Sequence, residues 1–211
     1  MRIFVGVDSR QPIAYTVLQN SIIRRASRPV QITPLILPQL PISRKGLTEF
    51  TYSRYLCPWL CGYRGHSLFL DADMLVLCDI WELDELREPL AKVQVVQNIE
   101  RFEWPSLMLF HNASCTWLTP EFINDEKNKP NKVWEWERVG ELPSQYNHCV
   151  GYDQPRDDAK IVHFTQGIPC FEETQDSEYA AEWEAEMASC LKTVSWQEIM
   201  GNSVHAKRVR A

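Results

Sequence analysis

The chain lacks the features that mark several large functional classes. It has no basic excess: 22 Lys and Arg against 28 Asp and Glu leave a net charge of −6, which argues against a basic surface for nucleic acid. No apolar run approaches the roughly 20 residues that span a bilayer. The opening stretch Arg2–Val7 runs straight into strand composition, with no separable signal-peptide core. Internal repeats and low-complexity tracts are absent. The seven cysteines, at 57, 61, 78, 115, 149, 170 and 190, contain no Cys-x-x-Cys pair and no neighbouring Cys/His set with zinc spacing. An odd number of thiols in a chain too long to need staples suits a reducing compartment. The expectation is a soluble cytoplasmic protein with no nucleic-acid partner and no transmembrane segment.

What is present is enough apolar residue for a substantial core: 45% hydrophobic and 24% charged over 211 residues, which suits one globular domain. We read that domain over residues 1–191 and a basic, poorly ordered tail over 192–211. Eight Trp, with 11% aromatic residues in all, are mostly packing material, some of it available to line a carbohydrate or base cleft.

The stretch Ser67–Ile80 organises the rest. Leu68, Phe69 and Leu70 form an apolar run of the kind that fills a strand buried on both faces, and Asp71 and Asp73 interrupt it one residue apart. Like charges this close beside a hydrophobic strand need a shared proton or a cation, because unpaired burial costs several kcal/mol per ion. Side chains at i and i+2 share a face, so a strand ending near Leu70 lets both carboxylates aim at one ion. In an open α/β sheet that strand end is where ligands bind. A solvated turn or a helix cap is the bland alternative, weakened by the second apolar run, Met74–Leu77, that follows at once.

Along the chain, Ile3–Val7 reads as a strand delivering Asp8 to its end, with Asp8 or Ser9 as cap for a helix over Ile13–Ile23 and Pro12 in its first turn. Val30–Leu37 has strand composition, confined to a sheet edge or a bulge by Pro34 and Pro38. Helical spacing over Leu47–Leu60 places Arg54 off the apolar face, among surface residues. Asp84–Glu88 reads as a solvated helix. Val93–Gln97 and Leu107–Phe110 read as strands, with Asn98–Ser106 between them as a possible site wall. Pro120–Asn124 starts a helix capped by Thr119; Asp125–Lys132 reads as a mobile loop; Trp134–Glu137 alternates like an edge strand. Lys160–Phe164 is the last strand, ending on His163, Thr165, Gln166 and Gly167, and Ser177–Leu191 is a helix. By itself His163 is more often a satisfied strand-end histidine than a ligand.

With Asp71, Asp73, His163 and Gly167 in place, the chain resembles a nucleotide-sugar glycosyltransferase of the GT-A fold, in the family-eight group that includes glycogenin and bacterial galactosyltransferases. The resemblance runs along most of Arg2–Phe171. It is carried by the opening strand ending at Asp8, by Thr51–Tyr55 and by Phe69–Ile80 with its Asp-x-Asp motif. Leu107–Phe110, Leu142-Pro143 with Tyr146-Asn147, and His163–Gly167 follow in the family's order. It implies an α/β fold, a single GT-A domain with a mixed, mostly parallel central sheet flanked by helices. It further implies hexose transfer from a nucleoside-diphosphate sugar, a UDP-sugar by family habit, to a saccharide, lipid or protein acceptor with retention. Asp71, Asp73 and His163 would hold Mn²⁺ (or Mg²⁺), and Val7, Asp8, Arg54, Asp71, Ala72 and Gly167 would bind the donor.

The sequence departs from the family at two places. The family's closing motif carries a diphosphate-binding Lys and then Pro-Trp, whereas Gly167 is followed here by Ile168-Pro169-Cys170-Phe171. The backbone N–H groups at Gly167, or another cation, would have to replace that Lys. The family's Asp-Gln pair near the reacting carbon has no counterpart in order, which leaves Gln145, Asn147 and Glu135 as catalytic candidates. Three rival readings remain: a catalytically impaired relic that binds a nucleotide sugar, a metal-dependent phosphatase of the haloacid-dehalogenase type, and a nucleotidyltransferase. The phosphatase would carry its Asp-x-Asp on the first strand, and the nucleotidyltransferase would have glycines in Asp8–Pro12.

Overall fold

A computed structural model describes residues 1–191; the expected basic tail, 192–211, lies outside the described residues. The strands are β1 (Arg2–Gly6), β2 (Gln31–Leu35), β3 (His66–Asp71), β4 (Met74–Val76), β5 (Val93–Val96), β6 (Leu107–His111), β7 (Val139–Leu142), β8 (His148–Cys149) and β9 (Ile161–His163). The helices are α1 (Pro12–Arg25), α2 (Cys57–Leu60), α3 (Glu82–Glu85), α4 (Pro120–Asn124) and α5 (Ala180–Leu191). Among the described residues no helix is long and apolar enough to cross a membrane.

The main sheet has six strands in the order β2-β1-β3-β6-β5-β7. β1 runs parallel to β2 and β3, β5 runs parallel to β7, and β6 is antiparallel to β3 and β5. The period-2 alternation of its strands divides the core in two. Ile3, Val5, Leu68, Leu70, Leu107 and Leu109 face one side and pack with Val17, Leu18 and Ile22 of α1. Phe4, Phe69, Met108, Phe110, Val93 and Val95 face the other, toward Tyr55, Leu56 and Cys57. Both faces are covered, which is why these strands read as near-continuous apolar runs. β2 lies at the sheet edge, where Pro34 removes no interior ladder bond. A second sheet, β4-β9-β8, stands beside the first.

α5 closes the α1 side. Trp183 is fully buried in the core. The Glu186 carboxylate, 2% exposed, meets Arg25 Nη1 at 2.8 Å, Arg24 Nη1 at 3.4 Å and the amide of Asn20.

Several local expectations are corrected. Leu47–Leu60 is not one helix: turns lead into a 3₁₀ turn over Ser53–Leu56, and α2 then starts with Pro58 in its first turn. Trp134–Glu137 is no strand, because a 3₁₀ turn occupies Val133–Glu135; Trp136 packs against Trp117 and Tyr55 instead. Neither Asp8 nor Ser9 caps α1, whose N-cap is Gln11 without a side-chain bond. The acidic segment forms only the short α3, over Glu82–Glu85. The polar loop expected over Asp125–Lys132 is tied down by Arg44, whose Nη1 donates to the carbonyls of Ile123, Asp125 and Asn128 at 3.3, 3.1 and 2.9 Å.

Candidate active site

The Asp71-Ala72-Asp73 turn is the point where the chain leaves the main sheet for the second one. Asp71 ends β3 beside Gly6 of β1, and Met74 begins β4 opposite His163 of β9. That antiparallel register, extended by the Phe164 N–H donating to the Asp73 carbonyl at 3.0 Å, brings a residue ninety positions downstream against the motif. His163 Nε2 lies 3.3 Å from Asp73 Oδ1. One ligand atom each from Asp71, Asp73 and His163 lie within 4.8 Å of one another.

Asp71 is 7% exposed and His163 3%. Asp71 Oδ1 is 3.1 Å from Arg54 Nη2, an ion contact off the line of a hydrogen bond, and both Asp71 Oδ1 and Asp73 Oδ1 are buried without a hydrogen-bond partner. Burial pushes the Asp71 carboxyl up to about 7; Arg54 opposes the rise and the Asp73 charge adds to it. Burial disfavours the His163 cation, but the Asp73 carboxylate outweighs that and holds the imidazole well above its ordinary value. Orphaned carboxylate oxygens facing an imidazole nitrogen are the donor set of a hard-to-borderline divalent ion, so these residues fit Mn²⁺ or Mg²⁺.

A cavity of about 510 Å³ opens beside them. Arg54, Asp71, Asp73, Glu103, His163 and Thr165 furnish its polar wall, and Trp134, Phe102 and Tyr152 its aromatic one. The Phe102 and Tyr152 rings meet edge to face at 5.7 Å. A smaller hollow of about 80 Å³ adjoins it through Thr48, Phe50 and Asp73 and contains Asp8 and Ala72.

Arg54 is therefore not on the surface. It is 9% exposed, its Nη1 donates to the Pro105 carbonyl at 2.8 Å and its Nε to the Phe50 carbonyl at 3.3 Å. With its donors engaged in this way, it acts as a counter-ion fixed beside Asp71. Asp8 is 7% exposed and gripped by Arg10, whose Nε and Nη2 reach its two oxygens at 2.8 and 2.6 Å; that bond holds the Asp8 carboxyl below its usual range.

Other expected residues are not brought here. Gly167 (φ +123°) lines a separate hollow, and its N–H is taken by the Phe164 carbonyl at 2.9 Å, so it offers no free donor to a phosphate. Val7, half-buried after β1, lines neither hollow. Glu135 is exposed and paired with Lys132. Gln145 lies outside the cavity, its carbonyl accepting from Lys160 N–H at 2.8 Å. Asn147 is fully buried behind it, where its amide binds Ser106 Oγ at 3.0 Å and Asn98 Oδ1 at 3.3 Å.

Sequence reasoning missed Glu103. It sits on a 3₁₀ turn over Arg101–Ser106, 9% exposed, with Oε2 3.5 Å from His163 Nδ1, and burial raises its carboxyl against the pull of His163. The segment was expected to form a wall, but no spacing links Glu103 to Asp73. Cys149, 3.9 Å from the same nitrogen through Sγ, was missed for the same reason.

This architecture is the GT-A glycosyltransferase fold. The bifunctional glycosyltransferase WbbM superposes with a TM-score of 0.69 at 15% identity over 94% of this chain, and GlyE of Streptococcus pneumoniae with 0.66 at 15% over all of it. The galactosyltransferase LgtC superposes with 0.64 at 11% identity, over 93% of this chain and 99% of its own. The chain spans 50% of the length of WbbM and 65% of that of GlyE. No family model matches the sequence. The chain belongs to the family of Protein CDI from Arabidopsis thaliana, with which it shares 34% identity over 88% of its own length and 85% of that protein.

Proposed function

We propose that the chain is a metal-dependent glycosyltransferase moving a hexose from a nucleoside-diphosphate sugar, a UDP-sugar, to an acceptor hydroxyl on a saccharide, lipid or protein, with retention. The observation that carries this reading is the convergence of Asp71, Asp73 and His163 in the wall of a cavity large enough for a sugar. A divalent ion held by these three residues would supply the positive charge that an acidic chain otherwise lacks for a departing diphosphate. Within the chain, Arg54 offsets part of the cost of the Asp71 charge and fixes its position, and the small hollow with Asp8 and Ala72 takes the base end of the donor. The aromatic wall of Trp134, Phe102 and Tyr152, the last two half-exposed, offers ring faces against which a sugar packs. The described cysteines are all free, which supports a cytoplasmic setting.

The impaired-relic reading has a specific support as well: Gln145, Asn147 and Glu135 all lie outside the cavity, and Gly167 cannot replace the missing Lys. One experiment separates the two readings. Metal-dependent thermal shifts are measured over a panel of nucleoside-diphosphate sugars, followed by release of the nucleoside diphosphate from the stabilising donor. Transfer predicts a shift that requires Mn²⁺, is lost in Asp73→Asn and His163→Ala, and is accompanied by turnover. The relic predicts the shift without turnover, and no shift with any donor refutes both.

A further inference from the structure

His163 presents a second donor set on its opposite edge. Its Nδ1 lies 3.5 Å from Glu103 Oε2 and 3.9 Å from Cys149 Sγ, and one ligand atom of each residue lies within 4.8 Å of the other two. A tetrahedral zinc ion with bonds of about 2.0–2.3 Å separates neighbouring donors by about 3.3–3.7 Å. Two edges of the set are already within a few tenths of an ångström of that. β8 produces this placement: in a two-residue strand, His148 and Cys149 point to opposite faces. His148 turns away to Glu178, 2.9 Å from its Nε2, and Cys149 turns inward to His163. Asn98 Nδ2 donates to Cys149 Sγ at 3.4 Å, the kind of N–H contact that supports a metal-bound thiolate. Two of the three residues, Glu103 and His163, line the cavity.

The two sets differ in chemistry. Asp71, Asp73 and the Nε2 edge are oxygen-rich and suit Mn²⁺ or Mg²⁺, whereas a thiolate, an imidazole and one carboxylate suit Zn²⁺. We infer that Glu103, Cys149 and His163 form a second metal site, for thiophilic divalent ions such as Zn²⁺, and that its occupation excludes a metal from the Asp71/Asp73 side. An imidazole that ligates through one nitrogen keeps its proton on the other. Zinc on Nδ1 displaces both the Cys149 thiol proton and the Nδ1 proton of His163 to solvent and leaves the remaining imidazole proton on Nε2, where it donates toward Asp73 and cannot ligate. Zinc would thereby switch the outer site off. The inner set stands without the glycosyltransferase reading; only the exclusion rests on it.

The test uses the full metal-free chain and the metals alone. Co²⁺ is titrated in while the near-ultraviolet thiolate-to-cobalt charge-transfer band is followed, and Zn²⁺ is then added to displace it. The band is expected in the wild type at one equivalent, lost in Cys149→Ala, and retained in Asp71→Asn, which loses Mn²⁺ binding instead. Glu103→Gln, nearly isosteric, keeps the site testable if Cys149→Ala misfolds; it is expected to lower Zn²⁺ affinity about tenfold or more. In a second arm, bound Mn²⁺ is followed by electron paramagnetic resonance as Zn²⁺ is added. Absence of the band in the wild type, or its survival in Cys149→Ala, overturns the site. Mn²⁺ that stays bound beside zinc overturns the exclusion and leaves the site standing.

Discussion

The Asp71 carboxyl makes metal-free stability depend on pH in a direction opposite to that of an ordinary paired carboxylate. Its pKa rises from 3.8 unfolded to about 7 folded because it is buried. Between these values the folded chain binds the extra proton, so stability falls as pH rises through this window and levels off above pH 7. At about 1.4 kcal/mol per unit the full effect is roughly 4 kcal/mol, of which about 2–3 kcal/mol falls between pH 5 and pH 8. For a chain of this size that is about 5–10 °C in melting temperature. The assay is urea denaturation in a chelator at pH 5 and at pH 8, for the wild type and for Asp71→Asn. The wild type should lose about 2–3 kcal/mol more than the variant between the two pH values, a comparison that cancels the titrating groups away from Asp73, Glu103 and His163. Saturating Mn²⁺ should remove most of that difference, because the ion supports the ionised carboxylate. A wild-type-to-variant difference that does not change with pH would refute the account of Asp71 as a buried, under-compensated charge.

Two further perturbations test the supports of the site. In Gly6→Ala the new Cβ would lie 2.5 Å from Phe50 Cγ, and the Phe50 carbonyl accepts from Arg54. The variant should therefore lose about 1–3 kcal/mol in denaturation and weaken Mn²⁺ binding with it; full retention of both would show that Phe50 can step aside without moving Arg54. Glu186→Ala removes the carboxylate that joins α5 to Arg24 and Arg25, both partly exposed, so about 1–2 kcal/mol is expected. Hydrogen exchange should speed up in α5 while β1 and β3 stay protected, and equal loosening of the central strands would mean that α5 is not a separable unit.

How much of this was legible beforehand depends on the kind of signal each residue carries. Asp71 and Asp73 were legible because two charges breaking a buried strand are a local contradiction, visible wherever the strand is recognised. The edge position of β2 was legible as one of two options, edge or bulge, from Pro34 and Pro38. Arg54 was misplaced by periodicity because Ser53–Leu56 winds at three residues per turn rather than 3.6, so the face deduced from α-helical spacing is the wrong one; only the resemblance put it in the site. Trp134–Glu137 alternates because its tryptophans go inward to the cavity and to Trp117 while its glutamates point outward to pair with Lys132 and Lys92, and a 3₁₀ turn satisfies that demand as well as a strand does.

The least legible feature is also the one on which the chemistry turns. Nothing local to His163 says which of its nitrogens faces which partner. That is decided by a three-pair antiparallel register, Met74↔His163 to Val76↔Ile161, and by the parallel pairing of Cys149 with His163. A shift of either pairing by one residue would turn the imidazole to the opposite face of the small sheet, away from both carboxylate sets. The strands involved are two or three residues long, too short to hold register by their own ladder bonds. It is held instead by Phe164 N–H on the Asp73 carbonyl, Val150 N–H on the His163 carbonyl and Leu77 N–H on the Lys160 carbonyl, at 3.0, 2.9 and 2.8 Å. The convergence of Asp71, Asp73 and His163 is thus a property of backbone bonds flanking the motif, which is why a motif of three side chains could be found in the sequence while its second face, Glu103 and Cys149, could not.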